Sequence, residues 1–334
     1  MGLMKILVKI IAEIGSVHDG SLGNALKLVE LTAECGADFA KFQTHLADAE
    51  SLSSAPSPSY FKGEPRVDYF RRTGFKLDQW KELKAQAESC GIGFISSPFS
   101  IEAVDLLEEV EVDYYKVASG EVTNLPLLER IAETGRPIVL SSGMSDWDEL
   151  DRAVEALRDG GDLTLMQCSS AYPCPPERVG LNVMKEMRER YGVPVGLSDH
   201  THGLAAAAAA VALGAVMVEK HLTFHRGMYG SDAAHSAEPE EFKAMVEAIR
   251  EVEVMRANPV DKDDLVAYGD MKNIFEKSLV AAVNLTEGAR LERAHLAFKK
   301  PGDGIKAAEY ANWVGRTLAR DVKADTQLQP DDFK

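Results

Sequence analysis

The sequence predicts an α/β chain in which a closed (β/α)₈ TIM barrel is followed by a small C-terminal domain. Two observations carry this prediction. Short β-branched runs alternate strictly with segments of helical apolar spacing between residue 8 and about residue 255, and eight such units can be counted. A continuous βα series implies a parallel sheet, and eight units is the number that closes a barrel. An open, doubly wound sheet is the alternative for the same alternation.

The eight strands are expected where apolar and β-branched residues are densest, each followed by a helical segment. The predicted strands are Val8–Ile14, Phe39–Thr44, Gly93–Pro98, Tyr114–Ser119, Pro137–Ser141, Leu163–Ser169, Pro194–Ser198 and Val216–Leu222. Glycine and proline before the second and fifth strands are typical helix-stop signals. The run Ala205–Ala210 predicts a tightly packed helix, because Ala is the best helix former.

One connection is longer than the others. Thr44 to Asp78 is rich in Ser, Pro, Gly and charge, which predicts a long loop leaving the C-terminal face of the barrel. Loops of this length commonly carry function.

The pattern changes after Ala257. We expect three segments: a barrel domain over residues 1–257, a polar linker over 258–276 and a second domain over 277–334 with strands at Ser278–Val283 and Leu296–Lys299. Fewer than 60 residues make a marginal independent core, so this second domain is expected to dock on another surface.

Composition excludes several classes of function. The 37 Lys+Arg against 53 Asp+Glu give a net charge of −16, which argues against nucleic-acid or anionic-membrane binding. No apolar run is long enough for a membrane span. The four cysteines form no C-x-x-C pair, as expected for a reduced, cytoplasmic location.

Polar residues follow the predicted strands at the carboxyl ends, where catalytic groups of such barrels lie. In chain order they are Glu13; Lys41 and Gln43; Ser96 and Ser97; Lys116, Ser119 and Glu121; Ser141 and Ser142; Ser169, Ser170 and Tyr172; Ser198, Asp199 and His200; and Glu219, Lys220 and His221. Lysines among serine hydroxyls suit a phosphate dianion. Neither Gly-rich nucleotide motif is present.

Two histidines suggest an open metal site. His200 and His221 end adjacent predicted strands, so their rings are expected to reach one divalent ion and leave positions for water and substrate. Two buried structural histidines are the alternative. His202 forms a His-x-His with His200, a pattern of barrel metal hydrolases, but there the pair belongs to the first strand. Cys168 is expected to be a buried structural thiol.

At these strand ends the chain resembles the sialic acid synthase family. The matching stretches are AEIGSVHDG (12–20), GADFAKFQTH (36–45), FISSPFS (94–100), YKVASGE (115–121), NLPLLERIAETGRPIVLSSGM (124–144), GLSDHT (196–201) and VEKHLT (218–223). FKKPGDG (298–304) and VGRTLARDV (314–322) resemble the family's C-terminal SAF domain, a β-clip fold related to type III antifreeze protein.

The resemblance implies a synthase that condenses phosphoenolpyruvate with an open-chain hexose, N-acetylmannosamine or a relative, to give a nonulosonic acid and phosphate. It implies Mn²⁺ as cofactor, with Mg²⁺ or Co²⁺ as alternatives, held by His200 and His221. It also implies a homodimer in which the SAF domain of one subunit covers the other subunit's barrel mouth. The alternatives are a related synthase for a shorter, phosphorylated or non-acetylated aldose, and a non-catalytic sugar-binding protein.

The resemblance further assigns roles to individual positions. Phosphoenolpyruvate contacts are expected from Lys41, Ser97, Lys116, Ser119, Ser141, Ser170 and Ser198, and sugar contacts from Glu13, Gln43, Tyr172, Asp232 and Lys300. Glu121, Glu13 and Lys116 are expected to be catalytic, with Glu121 beside the reacting carbon.

Four positions depart from the family pattern and bear on the acceptor. Val17 and Ser170 each stand where the family commonly has Asn, Ser231 replaces a Pro, and Lys300 replaces an Arg that reaches the acceptor's N-acetyl group. Because Lys lacks the planar fork of Arg, the resemblance does not fix the acceptor.

Overall fold

A computed structural model describes residues 7–56 and 64–334 of the chain. Eight parallel strands close into a barrel in the order of the sequence, with the last strand paired to the first. The strands are β1 Lys9–Gly15, β2 Phe39–Thr44, β3 Gly93–Pro98, β4 Tyr114–Val117, β5 Ile138–Ser141, β6 Leu163–Cys168, β7 Val195–Asp199 and β8 Met217–His221. The predicted TIM barrel is therefore confirmed, and the alternative of an open, doubly wound sheet is excluded.

Helices follow the strands and cover the outside of the barrel. They are α1 Leu22–Glu34, α2 Ala47–Glu50, α3 Arg66–Thr73, α4 Leu77–Ser89, α5 Ile101–Val110, α6 Leu125–Ala132, α7 Trp147–Leu157, α8 Leu181–Tyr191, α9 Ala205–Ala212 and α10 Pro239–Ala257. Side-chain caps set several of the starts: Ser21 accepts from Asn24 N at the beginning of α1, and Asp146 forms a capping box with Glu149 at α7. The alanine run forms α9, as expected.

The connection from Thr44 to Asp78 was predicted to be a long loop, but its described part is partly helical. Its described part contains the helices α2 and α3, and it leads into α4 at Leu77. Val67, Tyr69 and Phe70 of α3 are buried, so apolar burial outweighs the Ser- and Pro-rich composition on which the loop prediction was based. Residues 57–63 of this stretch lie outside the described residues.

The last barrel helix returns to the amino-terminal end of the barrel. Arg250 of α10 contacts Asp38 Oδ2 at 3.0 Å and donates to the Val8 carbonyl, while Glu253 accepts from the Val8 amide. These contacts join the end of the barrel domain to its first and second strands. None of the helices in the described part of the chain is both long and apolar enough to cross a membrane.

The chain divides into two compact units between Asn258 and Pro259. The second unit contains α11 Gly269–Phe275, an antiparallel pair formed by β9 Ser278–Ala281 and β10 Leu296–Lys299, and the short helix α12 Tyr310–Trp313. Helix α11 lies within the predicted linker, and its Asn273 carbonyl accepts from Gly302 N at 2.7 Å. This part of the linker is therefore folded onto the second unit.

Candidate active site

The interior of the barrel is built as two layers, because alternate residues of a strand face the same side. The lower layer is apolar and consists of Ile11, Ile95, Val139, Met166 and Met217, with Phe39 and Tyr114 packed against it. The mouth layer stands two residues further along six of these strands and consists of Glu13, Lys41, Ser97, Lys116, Ser141 and Glu219, with Ser198 of β7. All seven side chains of the mouth layer are buried.

Four charged side chains of the mouth layer form one chain of ion pairs. Lys41 Nζ lies 2.6 Å from Glu13 Oε2 and 3.9 Å from Glu219 Oε1, and Lys116 Nζ lies 3.0 Å from the same Glu219 oxygen. Two lysines and two carboxylates balance to zero, which is what allows four charges to be buried together. Burial alone would raise the pKa of Glu219, but the charges of Lys116 and Lys41 outweigh burial and hold that pKa below its ordinary value.

Glu219 was among the polar residues found at the predicted strand ends, but neither the pattern nor the resemblance assigned it a role in the site. It stands two positions before His221 on β8, so the period-two rule places both on the inner face once His221 is assigned there. Its contact with Lys116 joins strands that are far apart in the sequence, and no local pattern signals such a contact.

Serine hydroxyls surround the two lysines. Ser97 Oγ and Ser141 Oγ are buried and have no hydrogen-bond partner among the described residues, while Ser198 Oγ donates to Glu219 Oε1 at 3.2 Å. A buried hydroxyl without a partner costs free energy, and a bound polar ligand relieves that cost. These oxygens therefore suit the anion that the lysines attract.

Ser119 and Ser170 converge on Gly143. A Cβ on this glycine would lie 1.9 Å from Ser119 Oγ and 2.6 Å from Ser170 Oγ, so only glycine leaves room for both hydroxyls. Ser119 itself opens a 3₁₀ turn, Ser119–Glu121, rather than ending β4 as predicted, because pairing of β4 stops at Val117.

His200 and His221 lie side by side at the mouth, with ring centroids 5.5 Å apart. His200 Nδ1 lies 3.0 Å from the Ser169 carbonyl, an acceptor, so Nδ1 carries a proton and Nε2 is the nitrogen with the lone pair when the ring is neutral. Burial would lower the pKa of His200, but its contacts with Cys168 and the Ser169 carbonyl outweigh burial and raise that pKa. His221 Nδ1 is buried without a partner among the described residues. Burial lowers the pKa of His221, which favours the neutral imidazole that binds metals.

The donor set fits a divalent ion that takes further ligands from water and substrate. Among the described residues, no cluster of three or more His, Cys, Asp or Glu side chains is arranged to hold a metal. Two imidazoles with an orphaned ring nitrogen agree with an open catalytic site rather than a closed structural one. The Cys168 thiol is buried and free, 3.9 Å from His200 Nδ1.

The predicted sugar side of the mouth is formed around β1 and the segment after β8. Asp232 Oδ2 accepts from both Ser16 N (3.1 Å) and Ser16 Oγ (3.2 Å), and burial, which would raise the pKa of Asp232, is outweighed by His221 and these hydrogen bonds. Gly15, at φ +53°, allows this approach, since a Cβ there would lie 2.4 Å from Asp232 Oδ2. Ser231 Oγ also contacts Asp232, a hydrogen bond that the family's proline could not make.

Gln43 and Tyr172 complete this side. Gln43 Nε2 donates to Glu13 Oε1 at 2.7 Å, and the Tyr172 ring lies 4.2 Å from that of His200. Glu121 is half-buried at the edge of the mouth, where Asn124 Nδ2 donates to its Oε2 at 2.8 Å, and burial raises its pKa.

Two further positions were expected to bear on the acceptor. Val17 is fully buried in the main apolar core of the barrel domain, so it packs rather than lining the mouth. Lys300 belongs to the second unit, where its Nζ lies 4.7 Å from the centroid of the Phe275 ring, and its contact with a sugar stays a prediction.

Comparison with known proteins relates this geometry to a family. The chain is 36% identical over 329 residues to N,N'-diacetyllegionaminic acid synthase of Campylobacter jejuni, covering 96% of this chain and 98% of that protein. It is 35% identical to N-acetylneuraminate-9-phosphate synthase of Homo sapiens, covering 96% and 90%. The crystal structure of N-acetylneuraminic acid synthetase from Leptospira borgpetersenii superposes with a TM-score of 0.70 at 28% identity, covering 79% of this chain and 90% of that one.

The family models agree with these relatives. The NeuB family model matches residues 28–261, and the SAF domain model matches residues 276–334. The barrel and the C-terminal unit thus find their counterpart in one group of proteins: the chain belongs to the NeuB family and contains a SAF domain.

Proposed function

We propose that the protein is a nonulosonic acid synthase, which condenses phosphoenolpyruvate with an open-chain hexose and water to give a nine-carbon acid and inorganic phosphate. The observation that carries this proposal is the mouth layer, in which two buried lysines are balanced by two carboxylates and lie among serine hydroxyls, two of which, Ser97 and Ser141, have no partner among the described residues. The related proteins named above are synthases of nine-carbon acids.

Phosphoenolpyruvate is a trianion near neutral pH, and the mouth is equipped to receive one. Lys41 and Lys116 would exchange contacts with Glu13 and Glu219 for contacts with the ligand, as point charges do readily. The hydroxyls of Ser97, Ser119, Ser141, Ser170 and Ser198 would donate to its phosphate and carboxylate oxygens. Exclusion of water from this buried layer strengthens each of these contacts.

The acceptor would lie against Glu13, Gln43, Tyr172 and Asp232, with its aldehyde carbon facing the methylene carbon of phosphoenolpyruvate. A carbon–carbon bond forms between these two atoms as the C=C π bond of phosphoenolpyruvate and the C=O π bond of the aldehyde break, and positive charge develops at C2 of the former phosphoenolpyruvate. The aldehyde oxygen takes the electron pair of its π bond and a proton and becomes a hydroxyl group. Glu121 and Glu13 stabilise this charge, and Glu121 accepts a proton from the water that adds to C2. Burial raises the pKa of Glu121, which brings this carboxylate closer to the range of a general base. Lys116 stays on the phosphate, which leaves by C–O cleavage.

His200 and His221 would hold a divalent ion, Mn²⁺ foremost and Mg²⁺ or Co²⁺ as alternatives. When bound, such an ion supplies Lewis-acid polarisation of the acceptor's carbonyl oxygen. Each histidine would bind the ion through an imidazole nitrogen that carries no proton, and the Ser169 carbonyl holds the His200 ring in the required tautomer.

The first experiment is phosphate release from phosphoenolpyruvate with Mn²⁺ over a panel of acceptors, with and without chelator. The panel contains N-acetylmannosamine and its 6-phosphate, mannose, diacetamido-trideoxyhexoses and arabinose 5-phosphate. Chelator-sensitive release with one hexose supports the proposal and names the acceptor. Phosphoenolpyruvate labelled with ¹⁸O in the bridging position should pass the label to phosphate.

The outcomes distinguish the alternatives. Release with arabinose 5-phosphate alone would indicate a synthase for a shorter aldose. Sugar binding without release from phosphoenolpyruvate, in folded and metal-loaded protein, would contradict the proposal and indicate a non-catalytic sugar-binding protein.

The proposal includes a homodimer in which the SAF domain of one protomer supplies Lys300 to the partner's barrel. Mixing two inactive variants tests this arrangement. Lys116→Met disables the barrel and Lys300→Ala the SAF contribution, so a mixed dimer contains one barrel with both groups intact. Recovery of activity after subunit exchange supports the exchange of domains, whereas a mixture as inactive as its parts contradicts it.

A further inference from the structure

His45 occupies a buried position at the mouth end of β2. Its imidazole ring is stacked between Phe70 and Phe99, with centroids 3.6 Å and 4.1 Å away and ring planes within 16° and 13° of parallel. Only 7% of the side chain is exposed. Neither the sequence patterns nor the proposed reaction assigns this residue a role.

Both ring nitrogens of His45 face hydrogen-bond acceptors. Nδ1 lies 2.8 Å from Glu50 Oε2, and Nε2 lies 3.1 Å from Gln43 Oε1. The amide of Gln43 presents its oxygen to His45 because its nitrogen donates to Glu13 Oε1 at 2.7 Å. A carboxylate has only acceptor sites, so reversing this amide would place two oxygens against each other.

We propose that His45 is a doubly protonated positioning residue, whose Nε2–H fixes the orientation of the Gln43 amide and thereby of Glu13 on the acceptor side of the mouth. The inference deepens the proposed function and, for its effect on catalysis, rests on it. The resulting hydrogen-bonded line runs from Glu50 through His45, Gln43 and Glu13 to Lys41, so it ends in the proposed phosphoenolpyruvate site.

The charges around His45 are consistent with an imidazolium. Glu50 of α2 has a side chain only 3% exposed and supplies the counter-charge, and Arg66 of α3 lies 4.0 Å from the other Glu50 oxygen. Glu121, after β4, interacts electrostatically with both Glu50 and Arg66. On the β1 side, burial lowers the pKa of His18 to about 4, so that ring adds no positive charge near neutral pH. The faces of Phe70 and Phe99 favour a cation between them.

Three substitutions separate positioning from packing. The Gln side chain can place an amide nitrogen where His45 Nε2 lies, Asn can place one where Nδ1 lies, and Phe retains the stacked ring without either donor. We expect His45→Gln to keep the acceptor KM within about twofold of wild type, because the donor to Gln43 survives. In His45→Asn and His45→Phe we expect the acceptor KM to rise about tenfold, with the phosphoenolpyruvate KM within about twofold.

A role in packing alone predicts the opposite order. Phe is then the best-tolerated substitution, and Gln and Asn are equally harmful; that ranking overturns the proposal. Unfolding midpoints of all three variants accompany the kinetics, so that loss of folded protein is not read as loss of affinity. Gln43→Met supplies a matched control, because it keeps the length of the side chain but removes the amide whose orientation His45 sets, and it should make the acceptor KM insensitive to the His45→Phe change.

The charge state is measured without any substrate. In ¹⁵N-labelled wild type at pH 7, long-range ¹H–¹⁵N spectra should show both ring nitrogens of one histidine at protonated-nitrogen shifts, and His45→Phe should remove that signal. A single protonated nitrogen on His45 overturns the inference. This NMR measurement needs no turnover, so it tests the protonation of His45 even if no acceptor in the panel releases phosphate. Failure of every acceptor would contradict the proposed function but not the protonation of His45.

Discussion

The lower layer and the mouth layer of the barrel are two residues apart on the same strands, yet they are opposites in chemistry. Ile95 and Ser97 of β3 are both fully buried. Ile95 packs among apolar side chains, whereas the Ser97 hydroxyl has no hydrogen-bond partner among the described residues. The difference shows that a step of two residues along a strand separates side chains that stabilise the barrel from polar side chains that are available to bind a ligand.

Energetics explain why the two layers can coexist so closely. The lower layer gains free energy from burial, at about 25 cal/mol per Å² of apolar surface. The mouth layer loses free energy by burying charges and hydroxyls, and its ion pairs offset that loss only in part. Substitutions in the two layers should therefore have different consequences, which the following predictions test.

The largest effect is expected from Lys116→Met. Its methylene stem is kept but the charge is lost, so Glu219 loses its nearest cation and keeps the 3.9 Å contact to Lys41 and the hydrogen bond from Ser198, and the anion site loses one of its two lysines. We expect kcat/KM for phosphoenolpyruvate to fall by about 10³-fold or more. Lys185→Met, on an exposed helix face, is the control and should leave kcat/KM unchanged.

His221→Ala should come next. Loss of one of two imidazoles is expected to lower metal-dependent turnover by about 10²-fold and to weaken the affinity for Mn²⁺, measured by titration of the protein with the metal, by about 10²-fold. His225→Ala, whose parent side chain is 74% exposed, controls for the loss of a histidine as such. Unchanged turnover with metal still bound in His221→Ala would remove this residue from the proposed metal site.

A pair of substitutions on β3 compares the layers directly. Ile95→Ala should lower the free energy of unfolding by about 2–5 kcal/mol through the cavity it leaves, with kcat/KM retained at temperatures where the variant is folded. Ser97→Ala should change stability by less than about 1 kcal/mol, toward greater stability, because a buried hydroxyl without a partner is removed. Its phosphoenolpyruvate KM should rise. Equal effects of the two changes on stability and KM would refute the division into layers.

The smallest effect concerns pH. Burial lowers the pKa of His18 to about 4, from an ordinary value near 6.5. Between these two pH values His18 is therefore protonated in the unfolded chain and neutral in the folded chain. The resulting stability is complete above pH 6.5 and is lost as pH falls toward 4, by about 2 kcal/mol between pH 6.5 and pH 5. His18→Asn keeps an acceptor for Gly20 N and should flatten this part of the pH profile in chemical denaturation. A slope equal to that of wild type would contradict this assignment.

The sequence was sufficient for the barrel because strand and helix periodicities are local. It also indicated Lys41, Lys116, His200 and His221 as candidate site residues, because the carboxyl ends of all strands lie at the same end of a parallel barrel. It could not show that Glu219 joins Lys116 across the barrel, that Val17 turns into the core, or that His45 pairs with Glu50. Those facts depend on which side chains meet after closure, and the Ser- and Pro-rich composition of residues 44–78 concealed the apolar face of α3.

The pairing of β8 with β1 has a consequence for how the protein is made. Some two hundred residues separate the two strands, so the ring closes through a contact of large sequence separation, which is entropically costly to form. The contacts of Glu219 with Lys41 and Lys116 exist only after that event. A nascent or partly folded chain is therefore unable to recognise the anion, and phosphoenolpyruvate should act as a ligand of the closed ring alone. It should raise the thermal midpoint in proportion to the logarithm of its concentration.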